Sequence, residues 1–162
     1  MQPQSTEVRL RPVKEADLPI LFEFELDVDA NRMVAFTSAG GPERGAFMGH
    51  WAKLLANHLI GKRTILADGE VAGSIVSFDF DGELNVGYRL GREFWSRGIA
   101  TKGLALFLED TVTRPIYGRV VADNVASRRV LEKCGFVLVR SERSHSEARD
   151  AEVDELVLRL DL

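Results

Sequence analysis

Two short stretches of this chain hold residues whose types and spacing could do chemistry. The first, Trp95-Ser96-Arg97-Gly98-Ile99-Ala100-Thr101-Lys102, runs into an apolar, helix-like segment. Unpaired N–H groups give a helix start partial positive charge, so Asp or Glu usually stands there. Here the start is basic, and the acids Glu109 and Asp110 come near the far end. That order makes sense if a negative group from outside the chain docks at the start. Gly98 and Ala100 are small enough for phosphate oxygens to approach the main chain, and a loop ending on glycine at a helix N-terminus presents several amides to them. The plain alternative is a tight turn with solvated basic residues, because short glycine patterns match by chance.

The second stretch is Asp123-Asn124-Val125-Ala126-Ser127-Arg128-Arg129-Val130-Leu131-Glu132-Lys133-Cys134-Gly135-Phe136. Ser127, Val130, Leu131 and Cys134 are spaced i, i+3, i+4, i+7 and therefore share the inward face of a helix. A serine on an apolar stripe must find a partner, and a backbone carbonyl would satisfy it. Asn124 stands where an N-cap belongs. Cys134 on the packed face reads as an inert thiol.

The elements that must position these residues follow from periodicity. Val8 and Leu10 alternate as a short strand, and Ala16, Ile20, Leu21 and Phe24 recur at helical spacing. Residues 27–45, rich in Asp, Gly and small polar side chains, read as a long loop. Phe47, Trp51, Leu54 and Leu55 mark a second helix from Pro42 onward. Residues 64–67, 71–80 and 84–90 are rich in β-branched and aromatic side chains, and Asp68-Gly69 and Asp81-Gly82 between them are strong hairpin signals. A helix is expected over 98–113, ended by Pro115. A strand over 116–122, a helix over 124–134 and a strand over 136–140 follow. Residues 141–151 read as a polar loop, and 153–160 as a final strand. This is one α+β domain spanning 1–162, with a mostly antiparallel sheet of about seven strands, about four flanking helices and a motif core over 83–140.

Composition narrows the function classes. A chain of 162 residues with 45% hydrophobic and 28% charged residues has room for a substantial core. The net charge of −4 argues against nucleic acid as the main partner. One cysteine excludes an internal disulfide framework and a multi-cysteine metal site, and a reducing cytoplasm is the expected setting. No run suggests a membrane span, so no membrane partner and no metal are expected.

Taken together, the two stretches resemble the GNAT superfamily of acetyl-CoA-dependent N-acetyltransferases, especially the branch with the ribosomal-protein N-terminal acetyltransferases. The phosphate-loop pattern Arg/Gln-x-x-Gly-x-Gly/Ala is matched by Trp95-Ser96-Arg97-Gly98-Ile99-Ala100, with Trp95 in place of the first Arg or Gln. The Asn-x-x-Ser…Glu-Lys-x-Gly-Phe signature is matched by Asn124, Ser127, Glu132, Lys133, Gly135 and Phe136. The resemblance extends from Glu7 to Leu160 in element order as well as motif.

The resemblance implies acetyl-CoA as co-substrate. The main chain of Tyr88, Arg89 and Leu90 would pair with its pantetheine arm, where the strand splays from its neighbour. The amides of Arg97, Gly98, Ile99, Ala100 and Thr101 would hold its pyrophosphate, and Asn124 would lie near the thioester end. It also implies direct attack by a primary amine in a ternary complex, with Ser127 as acid for the departing thiolate. The acceptor would be a protein N-terminus or a small-molecule amine, and the protein a monomer or homodimer. Many relatives read Glu-Ile-Gly-Tyr in the strand before the loop, and their Glu is the candidate base. Here that position is Asn85, which cannot act as one, and Glu83 lies two residues earlier on the same strand face. Glu83 could substitute through water, or be solvated beside its turn. A non-catalytic acyl-CoA-binding domain on the same fold is the rival that Asn85 suggests. Asp27, Asp29 and Glu43 could attract a cationic acceptor, although solvated acids are the simpler account. Phe47 and Trp51 could line the acceptor groove or pack the core.

Overall fold

The computed structural model of the chain describes residues 5–34 and 43–162. Seven strands form one sheet: β1 (Val8–Arg11), β2 (Lys62–Ala67), β3 (Glu70–Phe80), β4 (Glu83–Leu90), β5 (Ile116–Val121), β6 (Val137–Ser146) and β7 (Ala151–Leu160). Their order across the sheet is β1-β2-β3-β4-β5-β7-β6. Every neighbouring pair is antiparallel except β4 and β5, which run parallel. The Asp68-Gly69 and Asp81-Gly82 turns carry the positive φ at both central residues that tight hairpins require, 49° and 84° in the first and 53° and 79° in the second.

Five α-helices accompany the sheet among the described residues: α1 (Leu18–Glu25), α2 (Val28–Val34), α3 (Arg44–Ala56), α4 (Ile99–Asp110) and α5 (Val125–Lys133). On one face, Leu104 and Phe107 of α4 and Leu131 of α5 pack with Ile75, Val86, Ile116 and Leu158 of the strands. On the other, Leu18 and Leu21 of α1 and Trp51 of α3 form a smaller cluster against Val71 and Val76. The aromatic stripe of α3 is therefore core: Trp51 is buried, and the Phe47 ring meets Phe22 edge-on at 5.2 Å. No helix among the described residues is long and apolar enough to cross a membrane.

Three expectations are corrected. The loop expected over 27–45 contains α2, because Asp27 caps it: its Oδ1 accepts from the Ala30 amide at 3.1 Å and its carbonyl accepts from Asn31 N at 3.0 Å. Residues 35–42 of that loop lie outside the described residues. The helix expected to reach 113 ends at Asp110, where β-branched Thr111, Val112 and Thr113 leave the helical path. Arg114 Nη2 donates to Leu108 O at 3.3 Å and its Nη1 to Thr113 O at 2.9 Å, so a cation gathers the carbonyls at that end. The loop expected over 141–151 is mostly strand. β6 runs to Ser146, held by polar cross-strand pairs such as Arg143 with Asp154 at 3.0 Å, so its alternation is charged rather than apolar.

Candidate functional site

The site begins where the sheet comes apart. β4 and β5 share a single register pair, Asn85 with Tyr117. Beyond it β4 stays paired with β3 as far as Leu90, whereas β5 pairs with β7. The β5-facing edge of residues 86–90 is left without a strand partner, and a cleft of about 490 Å³ opens there. Tyr88, Arg89 and Leu90 line it from β4, Gly98, Ile99, Ala100 and Thr101 from the start of α4, and Asn124 and Ser127 from the start of α5. The structure thus brings nine of the sequence-predicted residues to one cavity. Arg97, Glu83 and Asn85 are not among its walls.

The mouth is a loop set up by local backbone geometry. Phe94 is buried and Trp95 Nε1 donates to Leu90 O at 3.2 Å, which ties the loop to the end of β4. Ser96 and Gly98 adopt positive φ of 61° and 74°. Gly98 is the N-cap of α4 and offers no side chain to its amides. Lys102 N donates to Gly98 O at 3.1 Å, and the helical N–H groups ahead of it have no intrahelical acceptor. A Cβ on Gly98 would meet nothing within 4 Å, so glycine is needed there for its backbone conformation. The basic side chains of the motif point elsewhere: Arg97 Nη2 donates to Thr6 Oγ1 at 3.3 Å and lies 3.6 Å from Asp68, and Lys102 Nζ donates to Thr6 O at 3.1 Å. The cations on the cleft wall are Arg129 and Lys133 of α5, with Arg89. From the sequence alone Arg129 and Lys133 are either outer contacts of a ligand or, as exposed basic residues on a helix usually are, merely solvated. Their spacing of i, i+4 was the available signal, since it sets both cations on one side of α5.

Deeper in, Tyr88 Oη and Ser127 Oγ are 2.8 Å apart, and Tyr88 Oη also lies 3.3 Å from Ser127 O. Burial pushes the Tyr88 phenol up to about 12, offset in part by the bond to Ser127 and reinforced by Cys134 nearby. Asn124 Oδ1 accepts from Ser127 N at 3.2 Å, so the plain N-cap role is realised at a residue that also lines the cleft. Cys134 ends α5 half-buried, with Sγ 3.6 Å from Thr101 O, and burial raises its thiol above the usual range. Sequence reading used only the main chain of Tyr88 and missed its hydroxyl.

At the closed end of the wedge the acids are occupied. The strand period puts Glu83, Asn85 and Arg89 on the face opposite Tyr88. Glu83 is gripped by both terminal nitrogens of Arg140, with Nη1 at 3.0 Å, and Arg119 stands 3.6 Å away. Hydrogen bonds from Arg140 hold its carboxyl below the ordinary range, with the charges of Arg140 and Arg119 adding to them. The sequence offered a solvated Glu83 or a water-linked base; β5 and β6 instead bring two guanidinium groups to it. Asn85 is 1% exposed; its Nδ2 donates to Glu83 O at 3.0 Å and its Oδ1 has no hydrogen-bond partner. The other candidate acids are also engaged. Asp27 and Asp29 pair with Arg92 at 2.6 and 3.1 Å, and Glu43 caps α3 through Gly45 N and Ala46 N. No cluster of His, Cys, Asp and Glu able to hold a metal occurs among the described residues.

The donor set fits a long, anionic, amide-bearing ligand. An unpaired strand edge can pair with amides, a helix start with open N–H groups suits a diphosphate, and two exposed cations flank it. A family model described as an acetyltransferase (GNAT) domain matches residues 7–137. No curated protein matches this chain. Among solved structures, a Salmonella typhimurium acetyl transferase described as modifying the N-terminal serine of ribosomal protein L7/L12 superposes with a TM-score of 0.81 at 19% identity, over 99% of this chain and 98% of its own. The Mycobacterium smegmatis RimJ, solved with a CoA disulfide, gives 0.72 at 21% identity over 95% and 81%. The yncA acetyltransferase of Salmonella typhimurium, described as putative and solved with acetyl-CoA, gives 0.72 at 16% over 96% and 94%. At these identities the superpositions establish the shared fold, and the family model, covering most of the chain, shows that this protein belongs to the acetyltransferase (GNAT) domain family.

Proposed function

We propose that the protein is an N-acetyltransferase that moves the acetyl group of acetyl-CoA to a primary amine, a protein N-terminus or a small-molecule amine. The observation that carries this reading is the wedge itself: an unpaired β4 edge, the open start of α4 and two hydroxyls all face one cleft. When bound, acetyl-CoA supplies an activated acetyl group; its C–S bond breaks, a C–N bond forms and the amine's proton ends on sulfur. The main chain of Tyr88, Arg89 and Leu90 holds the pantetheine arm. The amides of Gly98, Ile99, Ala100 and Thr101 hold the pyrophosphate, with Arg129 and Lys133 adding charge; Arg97, expected to share this role, is off the cleft wall. Asn124 and Ser127 stand at the reacting end.

Proton loss from the amine precedes attack, and amines titrate from about 8 for an α-amino group to about 10.4 for a lysine. Both Glu83 oxygens are engaged by Arg140, which lowers their basicity, and Asn85 is an amide. The acceptor therefore enters as the free amine from solvent, which favours α-amines at neutral pH. The N-terminal serine modified by the Salmonella relative has that chemistry. A panel of peptides, polyamines and amino acids incubated with acetyl-CoA, followed by thiol release and product mass, tests the proposal. Absence of turnover on every amine overturns it.

The clamped Glu83 and the Asn85 amide favour a second reading, a non-catalytic acyl-CoA-binding domain. It predicts thermal stabilisation by acetyl-CoA without thiol release on any amine.

A further inference from the structure

The pair formed by Tyr88 and Ser127 has a direction, and that direction decides what the cleft presents to a ligand. Both residues line the cleft, and their hydroxyl oxygens are 2.8 Å apart. A phenol is a stronger hydrogen-bond donor than an alcohol, and an alcohol oxygen is the better acceptor because its lone pairs are not delocalised into a ring. The alternative acceptor for the phenol, Ser127 O, is 3.3 Å away. Ser127 is the third residue of α5, so a back-bond to a carbonyl four residues earlier would fall outside the helix. Its amide is already taken by Asn124 Oδ1.

We propose that Tyr88 is a positioning residue: its phenol donates to Ser127 Oγ, and the serine's own proton is thereby turned into the cleft to donate to the sulfur of bound CoA. This rests on acetyl-CoA occupying the cleft. No group transfer is involved, and neither hydroxyl loses its proton. A cysteine thiol titrates near 8.5 and an alkyl thiol somewhat higher, both still below a phenol raised to about 12 and below an alcohol. Ser127 therefore stabilises negative sulfur as a hydrogen-bond donor. It does not serve as the source of the proton that finally rests there.

The experiment needs CoA alone and no acceptor. The thiol of CoA bound to the protein is titrated by its thiolate ultraviolet absorbance, with the complex of desulfo-CoA as the blank so that Cys134 cancels. Wild type is expected to lower the bound thiol's pKa by about one unit, roughly a tenfold gain in thiolate fraction, the size of a charge-assisted hydrogen bond. Tyr88→Phe and Ser127→Ala should each abolish most of that shift, and the double variant should do no more than Ser127→Ala alone. Tyr88→Phe removes one oxygen and keeps the ring, so CoA affinity should stay within about twofold of wild type; a purely structural role would change affinity and leave the thiol's titration in place. A Tyr88→Phe complex that titrates like wild type overturns the inference, as do fully additive effects or an unshifted thiol in the wild-type complex. A wild type that shifts the thiol yet acetylates no amine sustains the inference and overturns the transferase reading. Turnover without any shift does the reverse.

Discussion

Arg140 grips the Glu83 carboxylate with both of its terminal nitrogens, from 57 positions further along the chain. The pair joins β4 to β6, on opposite sides of β5 and β7, and lowers the basicity of a carboxylate at the closed end of the wedge. Its depressed pKa leaves Glu83 ionised at every pH above the ordinary carboxylate range.

The pH dependence of transfer should therefore follow the substrate. Between pH 6 and 9, kcat/KM should rise in proportion to the free-amine fraction. It should level off near pH 8 for an α-amine and near pH 10 for an alkyl amine. Steady-state kinetics on one acceptor of each kind checks this. A limb that bends at the same pH for both acceptors would assign the bend to a protein base.

Gly98→Ala should weaken CoA binding and stability together. The new methyl has open space, so the cost is that of a positive φ on a residue with a side chain, about 1 kcal/mol. Calorimetric titration should show a several-fold higher Kd for CoA, and chemical denaturation a matching loss of stability.

The basic residues should separate by which way they point. Arg129→Ala and Lys133→Ala, on the cleft wall, should each raise the Kd for CoA about two- to fivefold, with a shallower salt dependence. Lys102→Ala should leave it unchanged, because that ammonium is spent on Thr6 O. Calorimetric titration of CoA at two salt concentrations reads the difference.

Asp17 sets an acid limit on the fold. Its carboxylate accepts from Arg11 at 2.7 and 2.8 Å, from Lys14 N at 2.9 Å and from Thr64 Oγ1 at 2.7 Å, and these bonds, Arg11's first, lower it to about 2. Because the folded pKa is depressed, the stabilisation is fully present above the unfolded value near 3.9 and is lost as pH falls toward 2. Asp17→Asn should cost about 2 kcal/mol at pH 7, and urea melts of the two proteins should converge as the pH drops below 4.

Much of the arrangement was legible in the sequence because short-range rules govern it. The Asp-Gly turns fix their hairpins, and the i, i+3, i+4, i+7 stripe brings Ser127 to the inward face of α5. Four features were not legible, for physical reasons. α2 starts from one capping aspartate in a stretch too short and polar to show a period. β6 continues through residues whose strand character lies in charge pairs with other strands, visible only once the partner is known. The engagement of Glu83 and the hydroxyl contact of Tyr88 with Ser127 depend on residues 57 and 39 positions away, and no local pattern encodes such pairings.

The lone Asn85–Tyr117 register pair also bears on how the molecule breathes. The two parts of the sheet are joined across this seam by the Glu83 ion pairs and by a shared apolar core that includes Leu104 and Leu131 of the helices, Ile75 of one part and Ile116 and Leu158 of the other. Such packing holds the two parts together without protecting the amides along the seam from deuterium. The β5-facing amides of residues 86–90 should therefore exchange quickly in the free protein, although they sit mid-sheet, where exchange is usually slowest. A ligand that pairs with that edge would slow them and make the two parts open as one.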